Sequence, residues 1–62
     1  MTVDEIKELR RLSGLSQEEF ARELGISFAT VNRWENGRAL PSRLALRLLE
    51  QFKKRTTRIQ AS

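Results

Sequence analysis

The chain has 62 residues, 32% of them charged, a net charge of +4, and neither cysteine nor histidine. That composition removes disulfide scaffolds, thiolate chemistry, zinc fingers and the usual metal sites, and a chain this short buries only about 60% of its unfolded surface, so a second subunit would help it. No run approaches the roughly 18 apolar residues of a membrane span, and the acidic opening TVDEIKE is the reverse of a signal peptide's basic start, so a soluble cytoplasmic protein away from membranes is expected.

Thr2-Val3-Asp4-Glu5 is a capping box, and it opens a first helix over about 3–12 in which Ile6, Leu9 and Leu12 recur at helical spacing. Ser13-Gly14-Leu15 breaks that helix. Ser16-Gln17-Glu18-Glu19 is a second capping box, starting a helix over about 17–24 with Phe20, Ala21 and Leu24 inward, and Gly25 stops it. Ser27 caps a third helix over about 28–36, ended by Asn36-Gly37. Arg38 to Pro41 form a loop, after which Ser42 caps a fourth helix over about 43–53 with Leu44, Ala45, Leu48, Leu49 and Phe52 along one stripe. Leu46 falls off that stripe, as an incidental exposed leucine or as a contact with a second subunit. The ending KKRTTRIQAS, residues 53–62, has only Ile59 to bury, and its part over 55–62 reads as a frayed tail or linker. No repeat and no strand-like alternation is present.

Charge divides unevenly along this frame. Residues 1–26 hold four basic and six acidic side chains, and residues 27–62 hold eight and two. A basic half on a small helical domain is the footprint of a phosphate-backbone binder, with a plain solvated face as the bland alternative.

The third helix sharpens the question. At about 100° per residue, Val31 and Trp34 fall on one side, while Phe28, Ala29, Asn32, Arg33 and Asn36 fall on the other. Trp34 belongs to the core, and Glu35 points inward beside Val31, where a lone carboxylate is costly and calls for a cation. Helices two and three, each short and joined through Gly25-Ile26-Ser27, have the layout of a helix-turn-helix.

LSQEEFARELGISFATVNRWENGRALPS, residues 15–42, resembles the Cro/cI-type (XRE-like) helix-turn-helix family of phage repressors and small bacterial regulators. With the flanking helices the resemblance extends over most of the chain. It implies an all-α, compact four- to five-helix, lambda-repressor-like domain over 1–54, which binds double-stranded DNA with the third helix in the major groove, as a homodimeric regulator or repressor of transcription.

The resemblance assigns roles residue by residue. Phe28, Ala29 and Arg33 match base-reading positions, and Asn32 lies between them on the same face. Arg33 can fork onto guanine, with a surface ion pair to Glu18 or another acid as its ordinary alternative. Phe28 and Ala29 can read only shape and the thymine methyl. DNA, the local core over the end of helix two, or a protein partner are the three candidates to cover Phe28. Gln17 and Ser27 match phosphate contacts, although a plain first-turn residue and a helix cap would also account for them. Asn36 and Arg38 match further backbone contacts, and Arg43 matches a basic position near the DNA backbone or minor groove. Arg10 stands where relatives place an arginine paired with the glutamate matching Glu35, which implies an Arg10–Glu35 salt bridge. Leu40 and Leu46 are the candidate dimer contacts. No cofactor and no metal is implied.

An enzyme fits poorly, since there is no histidine or cysteine, no glycine-rich phosphate loop and little room for a pocket. The stronger rival is an antitoxin or adaptor of helix-turn-helix type whose main partner is a protein, a toxin or a fused effector domain.

Overall fold

The computed structural model of the chain describes residues 1–61, with side chains through Thr56. Four helices follow in order: α1 (Val3–Ser13), α2 (Gln17–Leu24), α3 (Phe28–Glu35) and α4 (Arg43–Ala61), with no strand among the described residues. None of these helices is long and apolar enough to cross a membrane.

Local signals start each helix. Thr2 accepts from the Glu5 backbone N–H while the Glu5 carboxylate accepts from the Thr2 N–H, both at 3.1 Å. Ser16 and Glu19 repeat this exchange at the head of α2. Ser27 caps α3 through Thr30 N–H, and Ser42 caps α4 through Ala45 N–H, each at 3.2 Å. Two orphaned donors are satisfied by each complete box, which is why a capping residue is worth about 1 kcal/mol.

The ends follow an equally local rule. Gly25 sits at φ +76°, where a side chain is disfavoured, and turns the chain so that Ile26 N–H reaches Ala21 O at 3.0 Å. After α3 the same device places Gly37 at φ +72° and returns Arg38 N–H to Arg33 O at 2.9 Å. Asn36, which the sequence includes in the third helix, is its half-helical cap.

Ile6, Leu9, Phe20, Ala21, Leu24, Val31, Trp34, Ala45, Leu49 and Phe52 form one core. Phe20 and Phe52 meet edge to face with ring centroids 5.2 Å apart, joining α2 to α4. α3 packs on both α1 and α2, so its inner face is held from two directions while its outer face stays open.

Four expectations need correction. Leu12 is 49% exposed rather than inward. A spacing of three drifts backward by about 60° per step, so Leu12 lies well off the Ile6–Leu9 line. Leu44 is 68% exposed, while Leu46 is half-buried against the core. The stripe of α4 centres on Leu49, and at about 100° per residue Leu46 is some 60° from that centre and Leu44 some 140° away. Finally, α4 continues to Ala61 rather than ending near 53, so the part of the expected tail over 55–61 has helical backbone. No proline or glycine follows Pro41, and lysine and arginine are good helix formers. Arg55 sits over the Phe52 ring at 5.5 Å. The expected burial of Ile59 lies outside the described side chains, and Ser62 of the expected tail lies outside the described residues.

Candidate nucleic-acid interface

The site is built on α2, the Gly25-Ile26-Ser27 turn and α3. Val31, Trp34 and Glu35 are buried and set the rotation of α3. Phe28, Ala29, Arg33 and Asn36 are consequently exposed, with Asn32 half-buried between them. Phe28 is 46% exposed and stands outside the core, so the local-core account of this side chain does not hold. Arg33 has no carboxylate partner: the salt bridges among the described residues are Arg10–Glu35 and Arg11–Glu8.

Beneath this face lies an ion pair. Arg10 Nε donates to Glu35 Oε2 at 2.7 Å and Arg10 Nη2 donates to Oε1 at 3.0 Å, a two-point fork from α1 to α3. Arg10 also donates through Nη1 to Leu15 O at 3.2 Å, tying in the α1–α2 connection. Burial by itself pushes the Glu35 carboxyl up, but hydrogen bonds from Arg10 and Gln17 and the Arg10 charge outweigh it and hold the group below its ordinary value. Glu35 therefore stays a carboxylate with its partners in place.

Gln17 departs from the plain phosphate-contact picture. Its Nε2 donates to Glu35 Oε1 at 3.0 Å, and its Oε1 accepts from Asn32 Nδ2 at 3.1 Å. Asn36 Nδ2 then donates to Asn32 Oδ1 at 2.9 Å. Gln17 keeps one unused N–H beside the backbone donors of the α2 N-terminus. No buried side-chain polar atom among the described residues lacks a partner.

Ser27 Oγ lies 2.8 Å from Thr30 Oγ1 while it caps α3. Thr30 is thus a partner that the sequence reading passed over, and the spacing of three residues from a cap serine was the available signal. The Gln17–Glu35 and Gln17–Asn32 bonds join positions 18 and 15 residues apart, and no local pattern announces them. Arg38, in the turn after α3, and Arg43, at the head of α4, are exposed, as is Arg47 one turn on.

Leu40 is 80% exposed in the α3–α4 loop. With Leu44, Leu48, Ile26, Trp34 and Ala39 it lines an apolar groove of about 270 Å³ beside α3. Leu46 is turned toward the core instead. Of the candidate dimer contacts Leu40 and Leu46, only Leu40 lines this groove, where Leu44 is its neighbour.

A helix-turn-helix family model matches residues 6–57 of the chain. Over 45 residues the chain is 47% identical to the uncharacterized HTH-type transcriptional regulator YiaG of Escherichia coli K12, and equally to the YiaG proteins of strains O6:H1 and O157:H7. The aligned segment covers 73% of this chain and 47% of each relative, so the chain spans about half the length of the curated relatives it matches. No solved structure matches it.

Proposed function

The chain belongs to the helix-turn-helix family, and from that premise we propose that it binds double-stranded DNA sequence-specifically and regulates transcription, with α3 as the recognition helix in the major groove. The observation that carries this reading is the outer face of α3. Phe28, Ala29 and Arg33 are exposed there, with neither a core role nor an ionic partner, on a helix whose inner face is rigidly packed. A rigid helix with an unengaged mixed face and arginines on the flanks suits a groove lined by phosphates and base edges.

In this reading Arg33 forks onto guanine, and Phe28 and Ala29 meet thymine methyls or shape the fit. Gln17, Ser27, Asn36, Arg38 and Arg43 hold the backbone: Gln17 by its remaining N–H beside the α2 N-terminus, Arg38 and Arg43 by charge. These contacts set register and affinity and carry little sequence information.

The protein works as a two-fold dimer, so that two recognition helices meet major-groove faces roughly 34 Å apart. The groove around Leu40 and Leu44 is the proposed subunit contact and a second copy of the chain its occupant, since it adjoins the recognition helix and its lining is nearly all apolar. A toxin or an effector domain seated on the same groove is the rival reading, favoured only by those two exposed leucines. The proposal includes no catalytic step and no cofactor, and it places the protein in the cytoplasm.

Selection from a randomised duplex pool at near-physiological salt tests the function. A motif with two half-sites about one helical turn apart is expected. A bound pool without any motif would overturn the sequence-reading proposal.

A further inference from the structure

The polar side chains between α2 and α3 are wired in one sense. A carboxylate only accepts hydrogen bonds, so Glu35, already forked by Arg10, is met by the Nε2 end of Gln17. Gln17 Oε1 is then the end turned to Asn32, which answers with Nδ2, and Asn32 Oδ1 takes Nδ2 of Asn36. The two ends of an amide are ordinarily interchangeable in such a network. Here a buried charge settles both of them. Reversing Asn32 would set its oxygen against that of Gln17, and reversing Gln17 would set its oxygen against the carboxylate.

After these bonds Asn32 retains one N–H and one oxygen lone pair on a planar group. A free donor and a free acceptor on one amide can complement adenine, which offers N7 as acceptor and its 6-amino group as donor. Guanine offers two acceptors on that edge, cytosine a donor, and thymine an acceptor and a methyl. We propose that Asn32 reads an adenine in the major groove and that Gln17, held by the Glu35 carboxylate, is its positioning residue. This rests on the DNA-binding reading above and deepens it. The buried pair thereby acquires a second role, since the charge that joins α1 to α3 also decides which way a base-reading amide faces. An amide held before binding loses less freedom when it docks, and it does not present the wrong end to the base.

The test compares duplex selections by the wild-type chain, Asn32→Ala and Gln17→Met. One position is expected to prefer adenine over guanine by about tenfold in wild type, the low end of a bidentate contact. The preference should vanish in Asn32→Ala and fall to about threefold or less in Gln17→Met, while the position read by Arg33 keeps its own. Loss of affinity spread evenly over all duplexes in Gln17→Met, with the adenine preference intact, would leave Gln17 as a phosphate contact and remove the positioning role. A clear motif with no adenine dependent on Asn32 overturns this inference alone, whereas a pool without a motif overturns the DNA reading as well. Should circular dichroism show Gln17→Met unfolded, Gln17→Ala replaces it. Wild-type binding to duplexes carrying 7-deazaadenine or purine at that position gives a check free of variants. Both analogues are expected to weaken binding, and retention with either one overturns the two-point contact.

Discussion

Arg10 and Glu35 stand 25 residues apart in the chain and meet in a fork of two hydrogen bonds, 2.7 and 3.0 Å long, with Glu35 almost wholly buried. The pair joins α1 to the end of α3. Because Gln17 also donates to Glu35, one carboxylate gathers α1, α2 and α3.

Removing one member of that pair leaves the other uncompensated. Glu35→Ala is expected to lower unfolding free energy by about 3 kcal/mol, the low end for a buried pair, because Arg10 is a quarter exposed and water relieves part of its charge. A 62-residue domain holds only about 3–9 kcal/mol in total, so the variant should be close to unfolding at 37 °C. Urea denaturation followed by circular dichroism measures this, and an unchanged midpoint would contradict a structural role for the pair.

Acid should act on the same group. The Glu35 carboxyl is held below its ordinary value in the folded chain, so the stability it lends is complete above the unfolded value, about 4.3, and is lost as pH falls through the folded one. Glu5 and Glu19 are lowered too, first by the backbone N–H groups of Thr2 and Ser16, and they push in the same direction. The thermal midpoint should stay level down to about pH 5.5 and decline below about pH 5. Glu35→Gln should start lower and decline less. A midpoint that rises on acidification would reverse the sign.

Arg33 and Arg38 should separate by the kind of loss. Arg33→Ala is expected to cost about 1–3 kcal/mol on the preferred duplex and to relax selection at one base pair. Arg38→Ala should weaken all duplexes alike and reduce the slope of log affinity against log salt by about one unit. Fluorescence anisotropy titrations over a salt series distinguish the two, and interchangeable behaviour would refute the division into base and phosphate contacts.

The neighbouring leucines of α4 should part company as well. Leu44→Glu puts a charge on an exposed position in the apolar groove, so folding should survive while two-fold binding to DNA is lost. Leu46→Glu puts the same charge against the core and should destabilise the fold itself by about 2 kcal/mol. Melting curves and sedimentation on DNA read both effects. Cooperative binding by Leu44→Glu would move the subunit contact elsewhere.

The sequence alone determined what depends on a few consecutive residues. Thr2, Ser16, Ser27 and Ser42 announce the four helix starts, and Gly14, Gly25 and Gly37 announce three ends, because capping and left-handed turns are satisfied within one helical turn. Periodicity likewise separated Val31 and Trp34 from Phe28 and Arg33, and the charge argument for Glu35 led to Arg10 once the resemblance supplied the partner. Only the tertiary structure decided matters that depend on where one helix meets another. The stripe of α4 is centred by the neighbours of Leu49, so Leu44 and Leu46 exchanged the roles expected of them. The Gln17 amide was legible as a helix-start residue, but its bonds to Glu35 and Asn32 exist only because α2 and α3 cross at that point. Burial and side-chain hydrogen bonding are properties of the space between elements, and spacing along one element does not contain them.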